Sequence, residues 1–320
     1  MNLKPIYNLG KMRFKIEPVT PLLIKSRETI DPTRPEMEFV RLITPYGETV
    51  HIPGSSLKGA IRSHCERLCR SLGLDVCDIL DTRREGNSCI GRHRRNQRET
   101  RGRMEEITPY REHCCICRTF GSMNLASRVL FSDAFPWSWD AEERGKAKAI
   151  EEINKFINIR PGTAIDRKKG SVKGGALWEM EVLAGGTFYC ELTIRNYQLY
   201  QLALILLSFH HLNAGLQKLG FGKTRGLGRV KVSVEELEIQ QYPLLNAGKG
   251  KICGIGIVQG LQGEYDLVDN DEVDSPVSPE DGLLFHRFSL AESEAEELLQ
   301  KILSSEHWKA FQEKFKGGEN

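Results

Sequence analysis

The sequence predicts an α+β fold, a β-sheet with helices on one face. Three observations carry that expectation. Hydrophobic residues make up 40% of the 320 residues, enough to bury a real core in one large domain or two small ones. Stretches of period-two alternation occur beside stretches of helical period. Their order reads strand, helix, strand, strands, helix, glycine-rich loop, strand, which suits a ferredoxin-like or RRM-like arrangement.

Taken in order, residues 12–24 read as a strand, with Phe14 and Ile16 alternating with Arg13, Lys15 and Glu17. Residues 25–38 carry two prolines and many charges and read as a loop. Short strands are expected at 39–43 and 50–52. Pro53 and Gly54 make a turn, and Ser55 or Ser56 is the expected N-cap of a helix ending near Leu72. Its apolar face is Leu57, Ile61, Cys65 and Leu68, while Lys58 and Arg62 share another face at i, i+4 spacing. Residues 73–118 are polar, rich in arginine and without a clear hydrophobic period, so they read as an insertion. A strand within 126–135 and a charged helix at 141–157 follow. Residues 157–196 read as a long hairpin pairing 177–182 with 188–194, with a basic, glycine-rich tip at 167–175. A helix at 197–216 leads into the glycine loop and a strand at 229–234. Beyond Pro243 the expectation is a strand within 251–260, an acidic linker or disordered loop at 264–282, and an amphipathic helical stretch at 289–315.

Charge is nearly balanced, 45 basic against 43 acidic residues, but it is segregated. Arginines crowd residues 83–118 and acids crowd 264–299, which points to a polyanionic partner, nucleic acid first. The chain shows no signal peptide and no apolar run of membrane-spanning length, so no membrane partner and a cytoplasmic location are expected. Nine cysteines, an odd number, argue against a disulfide framework and for metal binding or buried thiols.

Two motifs carry chemistry. In GLQKLGFGKTRGLGRV (215–230), Gly220, Gly222, Gly226 and Gly228 alternate with Lys223, Arg225 and Arg229. Glycine permits positive φ and close approach of backbone to a ligand, and turns of this kind present N–H groups to anions. A cradle for RNA phosphates follows, with Gly222, Lys223, Thr224, Arg225, Gly226 and Arg229 as its residues. Cys77, Cys89, Cys114 and Cys117 are spaced C-x11-C-x24-C-x2-C, as a closed, structural four-thiolate Zn²⁺ site requires. His93 and His113 stand in reserve as ligands. Cys115 should point elsewhere, and Cys65, Cys69, Cys190 and Cys253 read as core thiols.

IPGSSLKGAIR, CxxCRTFGS, a glycine-rich hairpin containing IDR, and LGFGKTRGLGRV, in that order, resemble the CRISPR RAMP superfamily over about residues 10–240. More narrowly they resemble the backbone subunits of type III effector complexes, in the subgroup with a cysteine cluster before FGS. The resemblance implies a modified RRM "palm" at 1–243, with a zinc-finger-like insertion at 73–118 and a β-hairpin "thumb" at 160–182. Residues 244–320 would then be a C-terminal extension. It implies copies stacked along a guide RNA among other effector subunits, including neighbouring RAMP subunits. Ser55, Ser56, Lys58, Gly59 and Arg62 match the guide-binding helix start, and Gly220 to Arg229 the glycine loop. The thumb starts at Ile165, Asp166 and Arg167, and Lys168, Lys169 and Lys173 on it would contact the guide–target duplex. Cleavage of the target RNA would rest on an acid before IPGSS, with Mg²⁺ or Mn²⁺. Asp31 matches by residue type, and Glu36 by its distance to Val40 and Arg41, with Glu38 a further acid there. Should neither Asp31 nor Glu36 act, the subunit is a non-catalytic RNA-binding filament.

Overall fold

The computed structural model describes residues 5–26, 35–81, 83, 86–99, 108–166 and 168–317. Its centre is six elements: β1 (Asn8–Pro18), α1 (Gly54–Ser71), β2 (Val129–Phe131), β3 (Phe188–Arg195), α2 (Leu199–Asn213) and β4 (Val230–Gln241). The strands pair antiparallel in the order β4, β1, β3, β2, the ferredoxin-like arrangement expected from the element order. Period-two burial along β1 puts Met12, Phe14 and Ile16 in the core, and the Phe14 ring lies 4.8 Å from Phe209 of α2. Apolar nearly all round, α2 is covered on several sides. Behind it, α1 and the C-terminal helices α3 (Glu292–Ser304) and α4 (Glu306–Lys314) complete the helical layer.

On the opposite face of the sheet, where an RRM stacks bases, a charge ladder stands instead. Lys11 meets Glu191 at 3.0 Å and Lys15 meets Glu235 at 2.8 Å. Arg13 and Lys15 also lie over the rings of Trp139 and Tyr189. These cations cover the ring faces that base stacking on such a sheet would need.

Several expectations need correction. The long hairpin pairs differently: Val172–Leu183 pairs with Ile157–Ile165, and β3 joins the main sheet beside β1. The two readings differ because β3 alternates strictly and fits any sheet, and the ladder it joins lies far away in sequence. Neither serine caps α1. Its N-cap is Pro53, and the Asp133 carboxylate accepts the Gly54 N–H at 2.7 Å. The insertion contains ordered helices at Cys89–Glu99 and Cys115–Phe120. The acidic 264–282 segment is packed, not loose: Leu267, Val268 and Asp271 are buried and Glu272–Asp274 pairs with Lys251–Cys253. Farther on, β5 (His286–Leu290) extends the sheet at the β4 edge. The stretch 289–315 breaks into α3 and α4 at Ser305, whose hydroxyl accepts the Trp308 N–H.

Candidate nucleic-acid groove and metal centre

The glycine loop follows α2, and all four of its glycines have positive φ. Two of them are required by the fold itself. A Cβ on Gly220 would lie 2.3 Å from the Leu23 carbonyl oxygen, and one on Gly228 would lie 2.0 Å from that of Leu219. Gly226 has open space where its Cβ would be. The loop is therefore anchored at both ends and exposed between them, at Lys223, Thr224, Arg225 and Gly226.

Anchoring brings it against the start of α1. Ser55, Ser56 and Gly59 face Gly220, Phe221 and Lys223 across a groove of about 450 Å³, with Lys25 at its edge. Two segments more than 150 residues apart in sequence thus line one cleft, and α1 contributes the partial positive charge of a helix N-terminus. Loss of solvation holds the Lys58 and Lys223 ammonium groups below the usual lysine range, with a smaller contribution from Arg62 and Arg67 respectively. Partly desolvated cations of this kind gain most when an anion arrives.

Arg225 stacks between Trp178 (5.1 Å) and Phe221 (5.0 Å), joining the loop to the hairpin. Trp178 in turn fills the space above its cross-strand partner Gly162, where any Cβ would overlap the indole. This Trp178–Arg225–Phe221 column escaped sequence reasoning, because its members belong to separate motifs. At the hairpin tip the Asp166 carboxylate accepts the Lys168 and Lys169 N–H groups, leaving both lysines exposed. Lys173 lies on the Val172–Leu183 strand. Arg167 and Asp31 lie outside the described residues. Glu36 is exposed, while Glu38 is buried with its Oε1 unpartnered among the described residues. Close by, the Glu181 carboxylate accepts the Phe39 N–H (2.9 Å) and an Arg41 N–H.

The sulfurs of Cys77, Cys89, Cys114 and Cys117 are buried and lie within 4.8 Å of one another. Zn–S bonds of about 2.3 Å in a tetrahedron put sulfurs about 3.8 Å apart; here Cys77 lies 3.5 Å from Cys117 and 3.7 Å from Cys114. Without a cation the four cannot all ionise. The Cys117 thiol donates to Cys114, which lowers Cys114 well below the ordinary thiol range and raises Cys117 far above it. A divalent ion removes that conflict, so the donor set fits zinc. Both reserve ligands are used elsewhere, His93 with Glu112 and His113 with Pro109 and Ser122. Cys115 turns away to Cys69.

A sequence model of the RAMP superfamily matches residues 15–231. The chain belongs to the RAMP superfamily. No curated protein sequence matches it. Among solved structures it is similar to a chain of the apo state of a type III-B Cmr-beta complex, seen by cryo-electron microscopy. That match has a TM-score of 0.41 and 15% identity, and covers 70% of this chain and 96% of the other.

In this RAMP protein Arg62 is not aimed into the groove. Its guanidinium donates to Glu66 (2.9 Å), the Gly121 carbonyl (2.9 Å) and the Cys117 sulfur (3.5 Å), fastening α1 to the metal knot. Arg118 of RTFGS belongs to the arginine-rich run that the sequence points toward a polyanionic partner, but it is 2% exposed and turned inward. Its N–H groups go to the carbonyls of Arg111, His113 and Asp266, and the rings of Tyr110 and Phe315 cover it.

Proposed function

We propose that this RAMP protein is the guide-RNA-binding backbone subunit of a type III CRISPR ribonucleoprotein, and that it cleaves target RNA paired to the guide. The observation that carries the reading is the groove in which the start of α1 meets the glycine loop, two motifs joined only by folding. Its chemistry suits a ribose-phosphate strand: a helix N-terminus, small residues for close approach, and the cations Lys25 and Lys223 in its lining, with Lys58 on α1 and Arg225 on the loop as further cations outside it. Sequence would be read by guide–target pairing, and the protein would hold backbone. Arg167, Lys168, Lys169 and Lys173 at the hairpin tip would meet the duplex. The type III assignment rests on the order of the four sequence motifs. It makes target RNA, neighbouring RAMP subunits and other effector subunits the partners, in the cytoplasm of a bacterium or archaeon.

For cleavage, Asp31 or Glu36 would position a 2′-hydroxyl for attack on the adjacent phosphate, leaving a cyclic phosphate and a 5′-hydroxyl. Mg²⁺ or Mn²⁺ would supply charge neutralisation there. The alternative is a non-catalytic, structural RNA-binding filament subunit of the same complex. The deciding assay uses the assembled complex with guide and matched target, comparing wild type with Asp31→Ala and Glu36→Ala. Target binding retained with cutting lost supports the enzyme. Cutting unchanged in both variants removes these residues from the reaction, and a wild type that binds without cutting leaves the filament.

A further inference from the structure

Beside the metal knot lies a second cleft, separate from the groove. Its volume is about 160 Å³, more than one ion needs and below the roughly 300–1,000 Å³ of sites for drug-sized ligands. It accepts one planar ring, and neither a helix nor a strand. The walls are apolar, from Ile79, Ile90 and Met123, with the knot's sulfurs at the floor. Met123 is 86% exposed, so its side chain at the cleft's rim is accessible to a ligand. Asp81, Arg83 and Arg94 line the cleft as well, with the Arg83 guanidinium bound to the Asp81 carboxylate at 2.7 Å, so Arg94 is the lining cation left for a ligand. Arg94 lies on the Cys89–Glu99 helix with Arg95 the next residue round it, and both arginines are exposed.

That helix is held rigidly. Cys89 at its start belongs to the knot, His93 is buried against Glu112, and Arg92 is tied to Asp75 at 2.5 Å. Arg94 and Arg95, by contrast, meet no carboxylate among the described residues. Cations without a carboxylate partner, carried on a fixed helix beside a ring-sized apolar slot, match one chemistry: a single-stranded nucleotide, its base in the slot and its flanking phosphates on the arginines. An acidic peptide would use the cations and leave the slot empty. We infer that the cysteine-knot insertion is a second RNA site that takes one splayed nucleotide. This rests on the RNA-binding reading of the groove. The two sites share α1, whose first turn lines the groove and whose Arg62 holds the Gly121 carbonyl next to Ser122 and Met123.

The test uses the full-length, metal-loaded chain, with metal content measured for each variant. Single-stranded oligoribonucleotides carrying 4-thiouridine are photo-cross-linked and the modified peptides are mapped. Cross-links are expected at the Ile79 to Met123 cleft as well as at the groove. Met123→Glu should abolish the cleft cross-link without altering metal content. Arg94→Glu/Arg95→Glu should weaken RNA affinity at least ~10-fold and reduce the logarithmic salt slope by about 1.4, the value for two phosphate contacts on a single strand. Groove cross-links without cleft cross-links overturn this inference alone. No cross-links at either site overturn the groove reading as well. Full RNA affinity in the double variant with lost affinity for a polyglutamate peptide or a neighbouring subunit makes the patch a protein contact, and the inference fails.

Discussion

Two glycines two residues apart in one loop should respond to the same mutation in different ways. Gly226 (φ +83°) and Gly228 (φ +85°) both pay about 1–2 kcal/mol when replaced by alanine, the cost of a left-handed L-residue. At Gly226 nothing lies within 4 Å of the new methyl, so the cost ends there. At Gly228 the methyl would come 2.0 Å from the Leu219 oxygen, so the backbone must move. Movement breaks the bonds Leu219 N–H to Gly228 O (2.8 Å) and Gly228 N–H to Pro21 O (2.9 Å), each contributing about 1 kcal/mol. The expected losses are about 1–2 kcal/mol for Gly226→Ala and about 3–4 kcal/mol for Gly228→Ala, measured by urea unfolding. RNA binding should invert the order of interest. Gly226→Ala is folded at 25 °C, yet its methyl stands on the exposed part of the loop, so guide affinity should fall while the unfolding midpoint moves little. Equal destabilisation by the two variants, or unchanged RNA affinity in Gly226→Ala, would refute the division of the loop into anchors and an RNA-facing span.

The metal and one histidine pair supply two further expectations. The purified chain should carry one zinc, and Co²⁺ exchange should give a tetrahedral thiolate spectrum; Cys117→Ser should lose the metal and part of the helical circular dichroism. A metal-free wild type with intact helix content would contradict the knot. His64 Nε2 lies 2.7 Å from His211 Nδ1, and burial, with His211 and Arg67 adding to it, pulls His64 down to about 4. Between pH 6.5 and 4 the unfolded chain therefore binds a proton that the folded chain refuses. Its contribution to stability is complete above pH 6.5 and falls toward pH 4, by at most about 3 kcal/mol. His64→Gln should flatten that part of the profile relative to wild type, a difference that zinc loss, common to both, does not produce. An identical slope in the two proteins would show that His64 does not titrate in this window.

How much of this was legible in the sequence depends on the range over which each feature is determined. The alternation of β1, the apolar run of α2 and the C-x2-C pair are local and were readable as they stand. The knot was readable because four thiols and a polar segment without a core leave few other ways to order it. The partner of β3 was not readable, since strand alternation says which face is buried and not which strand lies alongside. The cap of α1 was missed for a similar reason: Asp133, 79 residues downstream, does what Ser55 seemed placed to do. The motif IPGSSLKGAIR places Arg62 with the guide-binding residues, yet a motif and a shared helix face with Lys58 do not fix where the guanidinium points. The acidic 264–282 segment looked loose by composition, and composition does not register that Asp271 is buried with every oxygen bonded.

That last carboxylate bears on how the extension relates to the groove. Asp271 accepts the Leu199 N–H at 2.8 Å and so serves the first turn of α2, with Gly256 and Gln198 as further donors and His307 of α4 beside it. Burial raises its carboxyl, and the His307 charge works against that rise. A carboxylate of this kind is tolerable only while all its donors are in place. Arg118 imposes the same condition from the other side, since its buried guanidinium needs Asp266 of the extension and Arg111 of the insertion together. Arg62 then carries the connection on to α1. Three buried or half-buried charged groups therefore join the extension, the metal knot and the groove wall. Each is costly to leave half satisfied, so these parts should be gained and lost together, and the shape of the groove wall depends on residues that do not line it.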